Sequence, residues 1–469
     1  MGKEKRIHMS EFLSMLGEWI SSANSFVNDI VWGPVMIALL LGTGIYLTIR
    51  LGVPQIRDIR RINHATFGRV FGRVQDTGDG TIASRKAGLA SIACVVGTGN
   101  ITGVATAVHA GGPGALFWMW LSAFFGMATK FAEIILGIYF REKNERGEYV
   151  GGAMYYIYKG LRSKWMAYFF SLMAIFSYMV CGAIVDTNSI CLGIQEQWNI
   201  APWISGVIIA AATAVVILGG VRRIGDVCDK LTPIMSVIYV AVGIGIILLN
   251  INHVPAALGQ IFKGAFTPQG AAGGFVGATV MQAMTVGLAR GLNSNEAGMG
   301  SSPTLNCSAK VDDPVEQGYW GILEVFLDTI VICTITGLVI VLSGQWTTDS
   351  DGTALAMAAF GTFLKNGTGN IFIMCSTILF GYSCLITSNY LCEVSAEFMW
   401  GPKSILPIRL VWIAFIIVGA LGGLEFVWDL ADTANGLMAI PNLIGLLLLS
   451  PLLVKIVREN RKNRLSSRK

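Results

Sequence analysis

The sequence predicts an all-α multi-pass membrane protein with eleven transmembrane helices, of which ten form two inverted halves of five and one precedes them. The composition is apolar, because 53% of the 469 residues are hydrophobic and 13% are charged, whereas about a quarter of an ordinary soluble domain is charged. Apolar segments of bilayer-crossing length alternate with loops rich in Lys and Arg. Two of the segments, one at the start of each half, are interrupted by glycine and polar residues. These observations exclude a soluble globular protein.

The chain begins with a mixed segment, for which we predict a helix in the membrane interface over residues 10–27. Phe12, Leu16 and Trp19 would form its apolar face. Residues 1–30 show no short apolar core followed by a cleavage site, so we expect no secretory signal. Eleven apolar segments follow, and we expect spans over residues 31–51, 86–110, 115–140, 167–194, 203–220, 231–250, 272–302, 318–343, 369–400, 406–423 and 432–455.

These spans divide the chain into five predicted regions. They are the N-terminal interfacial helix (1–30), the first transmembrane helix with a basic loop (31–85), the first half of the repeat (86–250), the second half (251–455) and a basic tail (456–469). The loops after odd-numbered spans hold nearly all the loop Lys and Arg, so the positive-inside rule places them and the C-terminus in the cytoplasm, and the N-terminus outside. Because each half has five spans, the second half is inverted.

The second span contains Gly97-Thr98-Gly99-Asn100, which we expect to unwind the helix at the middle of the membrane. Lipid offers the backbone no hydrogen-bond partner, so an unwound turn is stable there only against protein or a water-filled cavity. The freed carbonyls can bind a small cation, and the freed N–H groups at the start of the second half-helix can bind a carboxylate. The alternative is that the glycines only allow two helices to pack closely.

The seventh span is also interrupted, because its second half includes the polar run Asn293-Ser294-Asn295-Glu296. We place its break near residue 288, which is 190 residues after the break near residue 98. Two five-span halves that each open with a broken helix are typical of secondary transporters built from inverted repeats. The second break therefore favours a transporter over simple helix packing.

Four stretches resemble the alanine or glycine:cation symporters, also called the sodium:alanine symporter family. They are Val96–Ala105 with Gly111–Trp120, Gly126–Glu133 and Gly291–Gly300, and Gly151–Ile157 is similar to a further motif with Ala153 in place of proline. The resemblance covers nearly the whole chain. It implies a LeuT-type fold with one extra leading helix, and symport of a small neutral amino acid driven by Na⁺, with H⁺ as the alternative coupling ion.

Candidate substrate-binding residues lie on both broken helices and on two others. Thr98, Gly99 and Asn100 would contact the amino acid, since a zwitterion needs donors at its carboxylate and acceptors at its ammonium group; alternatively, Asn100 caps the second half-helix. The resemblance adds four residues to the pocket, namely Val286, Gly287, Tyr382 and Ile386. Relatives commonly have an aromatic residue at position 286, so Val286 implies a wider pocket.

Asp186 is the most informative departure from the family, which usually has glutamine at this position. A carboxylate in the middle of a span is a candidate functional group. It would bind the substrate ammonium group or titrate during transport. The alternative is a structural carboxylate that neighbouring helices satisfy by hydrogen bonds.

The resemblance to LeuT-type sites also implies a sodium site and a charged pair. The carbonyls of Ala93 and Val96 would bind Na⁺ together with the hydroxyls of Ser376 and Thr377, since Na⁺ prefers oxygen ligands. The alternative is that these hydroxyls only bond to their own helix. Arg290 and Glu296 would form a gating or structural ion pair.

The remaining charged residues in the spans are interpreted as structural. Lys130 and Glu133 are three residues apart and could pair on one helix face. Four acidic residues are placed near span ends, where they would line an inner vestibule or pair with Lys310 or Arg409; they are Glu324, Asp328, Glu393 and Glu397.

The sequence supports other classes of function less well. We find no nucleophile elbow, phosphate-binding loop or metal cluster, which argues against an enzyme. An ion channel is the stronger rival, because broken helices and buried hydroxyls also build selectivity filters. We therefore expect a symporter in the cell membrane that works as a monomer or weak oligomer, with an amino acid and membrane lipid as partners and no nucleic acid. The sequence leaves open alanine, glycine, serine or glutamine as substrate.

Overall fold

The computed structural model describes residues 24, 25, 27, 28, 31–76, 78–267, 280–422 and 425–466. The predicted interfacial helix over 10–27 and the region 1–30 lie almost entirely outside these residues. The regular secondary structure of the described residues is helical apart from four strands of two residues each, and turns and irregular segments connect these elements.

From Pro34 to Leu249, the described residues form twelve α-helices. The first, α1, is the extra leading helix, and α2 to α4 form the loop that follows it. The bounds are α1 Pro34–Leu51, α2 Pro54–Arg57, α3 Ile59–Ala65, α4 Phe67–Val70, α5 Ser84–Val95, α6 Thr102–Gly111, α7 Gly114–Phe140, α8 Ala153–Leu161, α9 Lys164–Tyr178, α10 Asp186–Trp198, α11 Pro202–Ile217 and α12 Gly220–Leu249.

The described residues of the second half form nine α-helices. A π-helical segment joins two of them, as a similar segment joins α9 to α10. The bounds are α13 Val254–Phe266, α14 Val280–Asn295, α15 Ser302–Asn306, α16 Pro314–Val325, α17 Thr334–Ser343, α18 Gly352–Phe363, α19 Thr368–Trp400, α20 Ile405–Leu421 and α21 Glu425–Ser466; the π-helical segments are Met179–Val185 and Phe326–Cys333.

The number of spans is consistent with the prediction. In the described part of the chain, seven helices are long and apolar enough to cross a membrane, or eight if the bent pair Ser84–Val95 and Thr98–Gly111 is counted as one span. The shorter α1 and α11 and the broken α14–α15 bring the number to the eleven predicted. Six short helices in the connections between spans were not predicted from the sequence, namely α2 to α4, α8, α13 and α18.

The first broken helix is where the sequence predicted it. Helix α5 ends at Val95, a single 3₁₀ turn covers Thr98–Asn100, and α6 continues to Gly111. The two halves of the span are bent by 57°. Gly97 is extended (φ −124°, ψ −160°) and forms the corner.

The second break exists, but the prediction that it lies near residue 288 was wrong. Helix α14 runs without interruption to Asn295, and the chain turns between Glu296 and Ser301, with positive φ at Glu296, Gly298 and Gly300. Gly287 serves another purpose, because a Cβ atom there would collide with the carbonyl oxygen of Ala115 on α7. A small residue at that position allows two helices to approach closely without unwinding either.

A short parallel strand pair shows how the two broken helices are oriented. Strand β1 (Ile82–Ala83) directly precedes α5, and β4 (Ala309–Lys310) follows α15; the two pair with each other. The start of one broken helix therefore lies beside the end of the other, so the two run in opposite directions, as an inverted repeat requires. The other two strands, β2 (Glu142–Lys143) and β3 (Tyr149–Val150), form an antiparallel hairpin after α7.

Candidate functional site

At the first break, several main-chain carbonyl oxygens accept no helical hydrogen bond. Among the described residues, no backbone N–H donates to the carbonyls of residues 93–96, and both Ala93 and Val96 are fully buried. The Gly97 N–H bonds instead to the Asn100 side-chain oxygen, at 2.9 Å. Buried carbonyls normally have a partner. Ala93 O accepts one side-chain hydroxyl, that of Ser383, and because a carbonyl oxygen has two lone pairs, these oxygens are available to a ligand.

Thr98 and Asp186 are brought together, as required if they share one site. The Thr98 hydroxyl donates to Asp186 Oδ1 at 2.7 Å, and each residue is only 7% exposed. Asp186 begins α10 directly after the π-helical segment Met179–Val185. Single turns of π-helix inside α-helices occur frequently at functional sites, because they redirect side chains.

Asn100 connects the first break to a residue that the sequence analysis misplaced. Its amide nitrogen donates to Asp328 Oδ1 at 2.5 Å, and Ser294, at the end of α14, donates to Asp328 Oδ2 at 2.9 Å. Asp328 therefore bridges both breaks and is fully buried, rather than lying near a span end. Its position inside the apolar run of span eight was a signal that could have found it. Since both polar atoms of Asn100 bond to protein, the contacts favour the alternative that Asn100 stabilises the turn.

The two hydroxyls chosen for sodium are placed away from the bare carbonyls. Ser376 donates to Phe372 O at 2.8 Å and Thr377 to Ile373 O at 2.9 Å, both within α19. The hydroxyl that touches the first break is that of Ser383, which donates to Ala93 O at 3.2 Å. Seven residues separate Ser376 from Ser383, which is about 10 Å along a helix. These contacts favour hydroxyls at least two turns further along α19 than the pair inferred from the resemblance.

Two later residues of α19 also face the first break. A Cβ atom at Gly97 would lie 3.4 Å from the Cβ of Cys384, and Ser388 Oγ lies 4.0 Å from Cys94 Sγ. Thr387, between them on the same helix, is fully buried and donates to Ser383 O at 2.8 Å. A hydroxyl that donates to a carbonyl keeps its lone pairs for a cation.

The other predicted pocket residues have the following surroundings. The Tyr382 hydroxyl donates to the carbonyl of Ala212 on α11, at 3.1 Å, and Gly287 lies against α7 as described. Val286 is partly buried beside Gly111, and Ile386 is fully buried in the hydrophobic core. On α19 the residue beside Thr98 is Gly381, where a Cβ atom would lie 3.1 Å from Thr98 Cγ2.

The predicted ion pair between Arg290 and Glu296 is not formed among the described residues. Arg290 Nη1 instead lies 4.0 Å from Asp432 Oδ2 on α21, and both side chains are about one-third exposed. Glu296 has positive φ at the second break, so its side chain leaves the helix face on which Arg290 lies.

Beside the second break, a buried charged network holds the chain in place. Lys130 Nζ lies 2.8 Å from Glu324 Oε1, and both side chains are fully buried. The Glu324 carboxylate also accepts the hydroxyls of Ser91 and Ser302, so it joins α5, α7, α15 and α16. The prediction that Lys130 could pair with Glu133 on one helix face was wrong, because Lys130 pairs with Glu324.

Glu133 has a different role, which explains where the second break lies. Its Oε1 accepts the N–H groups of Gly298 and Gly300, both at 3.1 Å, and the amide of Asn442 at 2.6 Å. A buried carboxylate thus replaces the hydrogen bonds that a continuous helix would have supplied.

A second buried ion pair lies near the C-terminal end of α19. Glu393 pairs with Arg409 through two contacts of 2.7 and 2.8 Å, which is one of the alternatives that the sequence allowed.

Removing the buried lysine should destabilise the protein strongly. We expect Lys130→Ala to lower the free energy of unfolding by about 3–5 kcal/mol, because it leaves the Glu324 carboxylate buried without its counter-charge. The measurement is thermal unfolding of the purified protein in detergent. The double variant Lys130→Met with Glu324→Gln should recover most of the loss, and a wild-type unfolding midpoint for Lys130→Ala would contradict the assignment.

Comparison with known proteins decides the family. The sequence profile described as the sodium:alanine symporter family matches residues 17–469. The chain belongs to this family. The sodium/alanine symporter AgcS of Methanococcus maripaludis is 41% identical over 460 residues, which cover 95% of this chain and 99% of AgcS. The probable sodium/glutamine symporter GlnT of Bacillus subtilis is 35% identical and covers 92% of this chain and 89% of its own length.

The fold agrees with this assignment. The crystal structure of MhsT in complex with L-phenylalanine superposes with a TM-score of 0.57 at 14% identity, over 81% of this chain and 99% of MhsT. This likeness confirms the LeuT-type fold. As a member of the sodium:alanine symporter family, the protein is a sodium-coupled amino-acid symporter of the membrane and not an enzyme.

Proposed function

We propose that this family member carries a small neutral amino acid of the alanine or glycine type together with Na⁺, by alternating access around a site between the two broken helices. The observation that supports this most strongly is the meeting of bare carbonyls, Thr98 and Asp186 at the first break, with Ser294 of the second broken helix alongside. Unwound helices in opposite orientations provide donors and acceptors at one depth.

In this proposal Asp186 and the first break hold the two ends of the amino acid. The ammonium group binds the Asp186 carboxylate, whose Oδ1 already accepts the Thr98 hydroxyl. The carboxylate binds the N–H groups of Thr98 and Gly99, which precede α6 and make no backbone hydrogen bond within the described part of the chain. A Cβ atom at Gly99 would lie 3.9 Å from Ser294 Cα, so the space favours a small substrate. The alternative substrate is glutamine, which the name of GlnT suggests.

Na⁺ binds beside the substrate, in our proposal, between α5 and α19. Its ligands are the carbonyls of Ala93 and Val96 and the hydroxyls of Thr387 and Ser388. Ser388 lies beside Cys94 of α5, and Thr387 follows Ser383, which donates to Ala93 O, by about one helical turn. Four or more oxygen ligands without a net charge suit a monovalent alkali cation. H⁺ remains the alternative coupling ion, for which Asp186 is the candidate carrier.

We infer the membrane orientation from charge alone. The N-terminus lies outside and the C-terminus in the cytoplasm, since the basic loops follow odd-numbered spans. Residues 86–250 and 251–455 are the two halves of the repeat, α1 and the basic tail flank them, and one helix bundle rocks against a scaffold around the site.

Uptake into proteoliposomes tests the proposal. We expect accumulation of labelled alanine when Na⁺ is high outside, and loss of accumulation when choline replaces Na⁺ or when the membrane is made permeable to Na⁺. Unlabelled glycine, serine and glutamine added in excess rank the substrates. Uptake that follows a pH gradient and ignores Na⁺ would support the H⁺ alternative. Ion current that persists without amino acid would support a channel and contradict the proposal.

A further inference from the structure

Two adjoining grooves open where α1 ends and α21 leaves the last span. One has a volume of about 230 Å³ and is lined by the end of α1, Arg57 and one face of α21; the other has a volume of about 340 Å³. Arg50, Val454 and Arg458 line both, so we treat them as one surface, called the basic groove. Its basic residues are Arg50, Arg57, Lys455, Arg458, Arg461 and Lys462.

The basic groove carries an excess of positive charge that the protein does not neutralise. Arg461 lies 2.9 Å from Asp58, and Lys455 lies 3.9 Å from Glu459. Arg57, Arg458 and Lys462 make no ion pair with any described residue, and all three are exposed. Like charges this close repel each other, so a bound anion would stabilise the arrangement.

The basic groove adjoins exposed apolar side chains, as a binding site for a lipid would. Ile49, on the last turn of α1, is 70% exposed, and Leu448, two turns before Lys455 on α21, is 62% exposed. Both helices belong to predicted spans, so these side chains face the hydrocarbon region while the arginines stand at its edge. An amphipathic molecule fits this combination of a cationic pocket and an adjoining apolar wall, whereas a free inorganic anion would use only the pocket.

We propose that the basic groove binds the headgroup of an anionic phospholipid, with its acyl chains along α1 and α21. Basic pockets between transmembrane helices are suited to such headgroups. The lipid would join the extra leading helix to the last helix of the second half, and so would stabilise α1 against the rest of the molecule. This site lies apart from the two breaks and does not depend on the transported substrate.

The test uses the full-length protein in detergent, titrated with phosphatidylglycerol, with phosphatidylcholine or with inorganic phosphate. The readouts are the thermal unfolding midpoint and the number of lipids retained in native mass spectrometry. We expect phosphatidylglycerol to raise the midpoint and to remain bound, and phosphatidylcholine to do neither. For the double variant Arg57→Gln with Arg458→Gln, the apparent affinity for phosphatidylglycerol should fall about thirtyfold.

The matched control is Arg60→Gln with Arg222→Gln, which removes the same charge from exposed positions outside the groove. It should bind phosphatidylglycerol like the wild type. If the double variant is not recovered folded, Arg458→Gln alone carries the test, with a smaller loss of affinity. The proposal would be overturned if phosphatidylcholine or inorganic phosphate raised the unfolding midpoint as much as phosphatidylglycerol does. It would also be overturned if the groove variants bound phosphatidylglycerol with the affinity of the wild type.

Discussion

Asp186→Ala should reduce amino-acid uptake to background while the protein remains folded in the membrane. The carboxylate is buried beside Thr98 at the first break, and we propose that it is the partner of the substrate ammonium group. Hydrogen bonds to charged groups contribute about 1.5–3 kcal/mol, so losing this one should weaken binding by one to two orders of magnitude. The measurement is uptake of labelled alanine into proteoliposomes with an inward Na⁺ gradient.

Asp186→Asn separates charge from hydrogen bonding. The amide oxygen can still accept the Thr98 hydroxyl, so the local structure should persist, but the charge that binds the ammonium group is gone. We expect uptake by this variant to be nearly as low as that of Asp186→Ala, with an elution profile like that of the wild type. Normal uptake by Asp186→Ala would mean that the carboxylate is structural only.

Thr387→Val and Ser388→Ala should raise the Na⁺ concentration for half-maximal uptake by about tenfold or more. Each removes one proposed oxygen ligand with little change in volume, and Thr387 is fully buried about one turn after Ser383, which donates to Ala93 O. A lost ligand should cost at least as much as one buried hydrogen bond. The measurement is alanine uptake as a function of external Na⁺.

Ser376→Ala and Thr377→Val are the matched controls on the same helix. Their hydroxyls bond to Phe372 and Ile373 carbonyls about two turns away from Ser383. We expect their Na⁺ dependence to stay within a factor of two of the wild type. The opposite ranking, with large effects at 376 and 377 and none at 387 and 388, would restore the register first inferred from the sequence.

The first break was predictable because its sequence conflicts with a continuous helix. Gly97-Thr98-Gly99 combines two poor helix formers with a residue that prefers other conformations, and no tertiary contact is needed to see it. The second break was misplaced for the opposite reason. Gly287 and Gly291 look like helix breakers, but they lie against α7, while the actual turn is held by Glu133, which is more than 160 residues away in the chain.

Individual site residues were also hard to predict where their position depends on contacts between distant parts of the chain. Asp186 could be found because a carboxylate inside a span is costly and stands out. The facing hydroxyls of α19 could not be chosen from sequence, since this helix has many buried hydroxyls and only its packing against α5 shows that Ser383, rather than Ser376, reaches Ala93. Asp328 met the criterion that identified Asp186, yet it was assigned to a span end although it lies ten residues inside the predicted span 318–343.

We propose that Na⁺ and the amino acid bind side by side at the first break. Equilibrium binding of labelled alanine to the purified protein tests it most directly, with Na⁺ varied at constant ionic strength. We expect Na⁺ to raise the affinity for alanine, and alanine to raise the affinity for Na⁺ by the same factor, because coupling between two binding sites is reciprocal. An alanine affinity that is identical in Na⁺ and in choline would contradict the account.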